Sequence, residues 1–316
     1  MAHDSELDRL DEVIRSDPIA GLEKGRDLLS VPPAEHCLHA RLLDRLGTAY
    51  RLLGEFVRAE AAYGKAKDLC RCQRCWWDRL RRIAYLRAEQ GEVAAARKVA
   101  AHALALAPDR ALAGRCRVAV AYVRLVARED AEAIDTARHA LEELPQSDLM
   151  YVGGALTTIG LCVLRIEPPP ADLMRQTRED LRALRRRWPR HRPYRAPRAR
   201  VRGIIGLIGY RLGEVDACDF RDTLVRSQRT VVELGMWREA VQMTADAAEI
   251  CAAMRREDLV SRSIEKMLDA LPDSLPRHVT VAVDRFRRSL WAVNRDELLR
   301  AAAELRAVTV RPASAV

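Results

Sequence analysis

Three cysteines crowd into six residues: Cys70, Cys72 and Cys75 of the run CRCQRC. Thiolates this close are soft ligands, and a structural zinc ion takes four nitrogen or sulfur donors in a tetrahedron. A fourth donor is expected from Cys37, His36 or His39. The spacing is not the paired C-x-x-C…C-x-x-C of ribbon-type zinc sites. A cysteine in an amphipathic segment also serves as a small core residue, so buried thiols are the competing reading. This structural zinc is the one cofactor that the sequence suggests.

A second kind of chemistry lies between Arg182 and Arg202, where RALRRRWPRHRPYRAPRARVR holds ten arginines, Trp188 and Tyr194, and no acid. The whole chain, 316 residues with 54 Lys+Arg and 45 Asp+Glu, has a net charge of only +9, so the rest of it is near neutral. Guanidinium groups beside aromatic rings suit phosphate and base stacking. Arg185, Arg186, Arg187, Arg190, Arg192, Arg195 and Arg198 are the candidate anion-binding patch, for RNA, DNA or an acidic protein surface. The bland alternative is a solvated helix end whose arginines answer acids on neighbouring segments.

Catalytic patterns are missing. The chain has no G-x-x-x-x-G-K-[ST], no H-E-x-x-H and no G-x-S-x-G, and its seven histidines are scattered. Gly203, Gly206 and Gly209 follow no strand that would make them a phosphate loop; at helical spacing they share a face and permit close packing. The expectation is a protein that is not an enzyme.

The elements that must position these groups are helices. Apolar residues make up 49% of the chain and aromatics 5%, with Ala and Leu dominant, which favours close-packed helices over sheets. An internal repeat of 37 residues links Gly54 to Gly91, Ala59 to Ala96 and Ala133, Ala66 to Ala103 and Ala140, Pro108 to Pro145, and Leu46 to Ile83 and Val120. Such a repeat reads as a helix pair used several times: Gly at the turn between its two helices, Ala where helices approach closely, and Pro where the second helix ends. Adding one period to Cys37 reaches position 74, so that stacking brings it beside the cysteine-rich turn. Sixteen helices are expected, near 5–15, 18–30, 33–53, 56–69, 74–90, 93–106, 109–127, 130–143, 147–165, 170–187, 197–212, 215–234, 237–255, 258–271, 276–293 and 295–308. Val118 to Val126 would also serve as a buried strand, but the repeat register favours helix.

The segment Leu43 to Ala66 resembles a tetratricopeptide repeat, with Leu46-Gly47, Tyr50, Gly54, Ala59, Tyr63 and Ala66 at that family's spacing. The resemblance covers about residues 40–146, and the period of 37 exceeds the family's 34. It implies an all-α fold, a right-handed α-α superhelix of antiparallel pairs, and a concave groove that binds a partner protein or peptide. The family's groove positions fall here on Arg41, Asp44, Thr48, Arg51, Asp78, Arg81, Tyr85, Glu89, Arg115 and Tyr122. The Lys/Asn clamp for carboxyl-terminal chaperone tails is missing, so that ligand is not expected.

These readings divide the chain into repeats at 1–146, a degenerate repeat with a Pro- and Arg-rich connector at 147–196, further repeats at 197–308 and a flexible tail at 309–316. An adaptor, scaffold or regulatory subunit is the expected function, with nucleic-acid binding and ligand sensing as alternatives. No apolar run nears the ~18–20 residues that cross a bilayer, and Met1 to Asp17 lacks the apolar core of a secretory signal. Eight dilute cysteines fit a reducing, cytoplasmic setting.

Overall fold

Local chemistry at the helix ends accounts for most of the architecture. The computed structural model describes residues 2–189, 194–253, 257–272, 275–290 and 295–310. Among them lie sixteen α-helices and no strand. α1 (Ala2–Ser16) and α2 (Pro18–Ser30) meet at Asp17, whose carboxylate accepts from the Ala20 N–H while Pro18 supplies a pre-set first helical position. Three pairs follow: α3 (His36–Leu52) with α4 (Phe56–Leu69), α5 (Gln73–Glu89) with α6 (Val93–Ala105), and α7 (Arg110–Val126) with α8 (Asp130–Glu143). Val118 to Val126 is helical, as its register required.

The turns within these pairs are copies of one another. Gly54 and Gly91 both sit at φ +80°, and one period on Arg128 holds the same left-handed conformation at φ 64°. In each turn the next residue's N–H reaches back five residues, from Glu55 to Tyr50, Glu92 to Arg87 and Glu129 to Arg124. That pairing satisfies carbonyls the helix end would otherwise leave open. The repeated alanines are equally regular: Ala59, Ala96, Ala133, Ala66, Ala103 and Ala140 are all buried. A side chain at Gly47 would come within 2.5 Å of the Tyr63 ring, so the bare backbone of α3 packs there on that ring of α4.

Beyond α8 come α9 (Leu149–Val163), α10 (Ala171–Arg187), α11 (Arg195–Arg211), α12 (Ala217–Glu233), α13 (Trp237–Ala253), α14 (Glu257–Asp269), α15 (Arg277–Ser289) and α16 (Arg295–Val310). All sixteen expected helices are present, each bound within about one turn of its expected position. One apolar core runs from Val118 on α7 to Leu305 on α16 and includes Trp188 and Ala196, so it passes through the region expected to be a connector. No helix of the described residues is long and apolar enough to cross a membrane.

The odd-numbered helices from α1 to α13 form a row, each packed on the next odd one, and the even helices α2 to α12 pack against their two flanking neighbours. The row also meets itself. α1 touches α11, and Arg15 on α1 donates to the Tyr151 hydroxyl on α9 at 2.9 Å. Further round, Arg128 pairs with Glu249 at 2.9 Å, and the Arg238 guanidinium lies 3.9 Å over the Phe56 ring. After α13 the alternation changes, because α16 rather than α15 packs on α13.

Candidate functional site

The four candidate ligand cysteines come together. Cys37 belongs to the first turn of α3, Cys70 caps α4, Cys72 precedes α5 and Cys75 lies in its first turn. Their sulfurs lie within 4.8 Å of one another, with Cys72 Sγ 3.4 Å from Cys70 Sγ and 3.7 Å from Cys37 Sγ. A tetrahedron with Zn–S near 2.3 Å has sulfur–sulfur edges of about 3.8 Å, so the spread suits a metal ion. Neither His36 nor His39 belongs to the cluster. Cys70 and Cys75 are buried, Cys37 is half-buried and Cys72 faces solvent.

The thiols share their protons unevenly. Burial raises Cys72, but the Cys75 backbone N–H and the surrounding thiols outweigh it and bring the group down to about 7. Donation to Cys70, then burial, push Cys37 up to about 12, and burial pushes Cys75 up as well. Cys72 therefore gives up its proton more readily than Cys37 or Cys75. A soft divalent cation would stabilise several thiolates, which is the chemistry of a thiolate metal centre. The cluster could bind a metal.

Arg79 joins this centre to the interior of the fold. Its guanidinium donates to the Cys70 carbonyl at 3.1 Å and to both Asp44 carboxylate oxygens, at 2.8 and 3.1 Å. Burial outweighs Arg79 and pushes the Asp44 carboxyl up to about 6.

The odd-numbered helices from α1 to α13, with α16, supply most of the lining of a cavity of about 700 Å³, and six of the ten expected groove residues line it: Thr48, Arg51, Arg81, Tyr85, Glu89 and Tyr122. The other four do not. Asp44 turns into the packing between α3 and α5, Asp78 lies behind the wall with Arg81 and Arg82, Arg115 pairs with Asp148 at 2.7 Å, and the Arg41 carbonyl accepts from Arg45. Alternate helix faces explain the split: successive residues on the leading helix point partly at the neighbouring helix and partly inward.

Polar groups on the wall are paired with one another. Arg51 pairs with Glu89, which also accepts from the Tyr122 hydroxyl at 3.4 Å, and the Tyr122 ring packs 5.1 Å from Tyr85. Arg82 donates to Thr48 at 2.7 Å and to Asp11 on α1 at 3.0 Å. Burial raises Asp11, yet Arg15, Arg82 and other arginines outweigh it and hold that carboxyl well below the usual range. The Tyr151 ring has the guanidinium groups of Arg15, Arg81 and Arg115 at 4.9, 5.1 and 5.0 Å. Cations close to one ring are held by its negative quadrupole as well as by their own carboxylates.

Sequence reasoning missed the second half of this wall, which comes from α1, α9, α11, α13 and α16. Arg200 on α11 pairs with Glu239 on α13, and Arg306 on α16 pairs with Asp246 and Glu249. Glu239 and Asp246 are seven residues apart, two helical turns on one face of α13, and that spacing was the available signal.

Arg185, Arg186 and Arg187 are exposed, as an anion-binding patch needs. Several neighbours are already answered: Arg195 pairs with Glu233 at 2.8 Å, Arg198 donates to the Pro189 carbonyl at 3.0 Å, and Arg187 to the Gln146 side chain at 3.0 Å. Trp188 is buried and stacks on Tyr194 at 5.8 Å. Arg190 and Arg192 lie outside the described residues.

No protein-family model matches the chain. No curated protein matches it either.

Proposed function

We propose that this chain is a non-enzymatic, tetratricopeptide-like helical-repeat protein, coiled as a right-handed superhelix, that takes its ligand inside the inner row of helices. One observation carries the reading: six groove positions chosen from a repeat pattern meet around a single cavity of about 700 Å³. Ligand pockets commonly span roughly 300–1,000 Å³. A space of this size admits a small molecule or a short peptide segment, not a folded domain or a duplex. The protein then acts as a regulatory subunit, adaptor or sensor whose bound segment or molecule sets its state.

The four cysteines, read as a structural zinc site, fix the start of α3 against the junction of α4 and α5 and so hold the first two repeats in register. Eight unpaired cysteines favour a cytoplasmic setting. Nucleic-acid binding is the second reading. It draws on Arg202, which burial and the like charges of Arg185, Arg226 and Arg198 push downward, a local excess of positive charge across α10, α11 and α12.

Hydrogen exchange of the full chain tests the proposal, with and without a low-molecular-weight extract of its native cells or the corresponding protein fraction. Slowed exchange along the inner faces of α3, α5, α7, α9 and α11 is expected. Protection confined to residues 182–202, and only when nucleic acid is present, would transfer the function to the basic patch.

A further inference from the structure

The four sulfurs of the cysteine centre differ in what can reach them. Of the eight cysteines, only Cys72 and Cys218 face solvent. Cys218 lies in the first turn of α12 and belongs to no metal-ligand cluster among the described residues. Cys72 has the half-buried Cys37 at 3.7 Å, whereas Cys70 and Cys75 are buried. The centre thus holds one accessible pair of sulfurs and one sheltered pair.

A thiol that coordinates zinc is deprotonated outright, and the thiolate is the reactive nucleophile. Peroxide oxidation selects an accessible thiolate with a second sulfur in reach to resolve it. Cys72 has two such neighbours, Cys70 at 3.4 Å and Cys37 at 3.7 Å. A bond to Cys70 would close a ring over the single residue Arg71, and distorted disulfide geometry stores strain. A bond to Cys37 closes no small ring: it joins the first turn of α3 to the residue that caps α5. The fold keeps a support there that is independent of any metal. Arg79 donates to the Cys70 carbonyl, not to a sulfur, and holds both Asp44 oxygens on α3.

Resting on the reading of these cysteines as a zinc site, we infer that the centre is a redox-controlled clasp. A hydroperoxide oxidises Cys72, Cys37 resolves it to a Cys37–Cys72 disulfide, and the zinc ion leaves. In the first step Cys72 Sγ attacks one peroxide oxygen and the O–O bond breaks. The other oxygen departs, takes a proton and becomes water or an alcohol, and Cys72 is left as a sulfenic acid. In the second step the Cys37 thiolate attacks the Cys72 sulfur, the S–O bond breaks, and the hydroxide takes a proton to leave as water. The two sulfurs lose the two electrons that the peroxide gains. Cys70 and Cys75 alone supply half of a four-coordinate site, so they take up two protons as the ion departs. The new disulfide spans the joint that the ion spanned, and a dithiol reductant reverses it. An oxidant is then a second input to the regulatory state, separate from whatever the cavity binds.

Peroxide titration of the reduced, zinc-loaded full chain tests this, with a chromogenic indicator reading released zinc and peptide mass spectrometry mapping the cysteines. About one zinc should leave per disulfide formed, and the linked pair should be Cys37 and Cys72. Far-ultraviolet dichroism should stay constant, and dithiothreitol with added zinc should rebuild the centre. Cys218→Ser should release zinc at the native rate. Cys37→Ser, which lacks the resolving thiol, should raise the Cys72 sulfenic acid captured by dimedone several-fold; if that variant folds poorly, the native disulfide map still decides. Zinc retained while Cys218 oxidises, or zinc released with Cys37 and Cys72 unlinked, overturns the redox inference while the metal site stands. A reduced chain that holds no zinc removes the metal reading and the inference with it.

Discussion

Arg79 and Asp44 form a two-pronged ion pair, Nε to Oδ1 at 2.8 Å and Nη2 to Oδ2 at 3.1 Å, with both side chains removed from water. Breaking one side of such a pair leaves a buried charge alone, at a cost of about 3–5 kcal/mol. Arg79→Met should therefore lower stability by about that amount, whereas the double variant Arg79→Met/Asp44→Leu should recover much of it. Chemical denaturation of the three proteins measures the difference. Equal losses in the single and double variants would show that the pair is not what the two residues contribute.

The cysteine centre gives a stoichiometric expectation. Protein purified under reducing conditions without chelator should hold about one zinc per chain, and Cys72→Ser should lose it, because that residue faces solvent and its exchange disturbs little packing. A strong chelator should lower the melting temperature of the native protein and leave that of Cys72→Ser unchanged. Elemental analysis near zero for the native protein removes the metal.

Glycine positions separate conformational need from mere tolerance. Gly91 holds φ +80°, so Gly91→Ala should cost about 1–2 kcal/mol. Gly64 sits in the exposed middle of α4 with nothing within 4 Å of an added Cβ, so Gly64→Ala should stabilise by about 1 kcal/mol. Gly47→Ala should cost about 1–3 kcal/mol, because the Tyr63 ring occupies the space. Thermal melts should place Gly64→Ala above the native protein and both Gly91→Ala and Gly47→Ala below it.

Acid should loosen the contact between α1 and the wall. Asp11 is held below its ordinary value, so its contribution is present above the unfolded-state pKa near 3.9 and is lost as pH falls through the folded-state value. Asp11→Asn should destabilise by roughly 3 kcal/mol at neutral pH, a buried-pair loss. The gap between native and variant melting temperatures should shrink below about pH 4. A gap independent of pH would mean that Asp11 acts through packing alone.

The helices were legible because their signals are local. The Gly54–Gly91 period, the Asp17-Pro18 cap and the repeated alanines each act within a turn or one neighbouring helix. The inward groove positions show both what a helical face gives and what it lacks: Thr48, Arg51 and Tyr85 line the cavity, but that face does not separate them from Asp44, which the adjacent α5 captures through Arg79. Arg128 shows a different limit. It replaces glycine in a left-handed turn, and only the turn's hydrogen bonds, conserved in pattern from Gly54 and Gly91, reveal the third copy. The far wall, from Arg200 to Arg306, left only the seven-residue spacing of Glu239 and Asp246 to read, because the rest of it depends on how helices distant in sequence meet.

The meeting of α1 with α11 changes what kind of object this row of helices is. An open array can fray one unit at a time, since each unit holds only its neighbours. Here Arg15 with Tyr151, Arg238 with Phe56 and Arg128 with Glu249 fasten early segments to late ones. Unravelling of α1 to α13 must undo those clasps, so this part of the molecule should melt as a hoop, in one sharp step, and not as a ladder rung by rung.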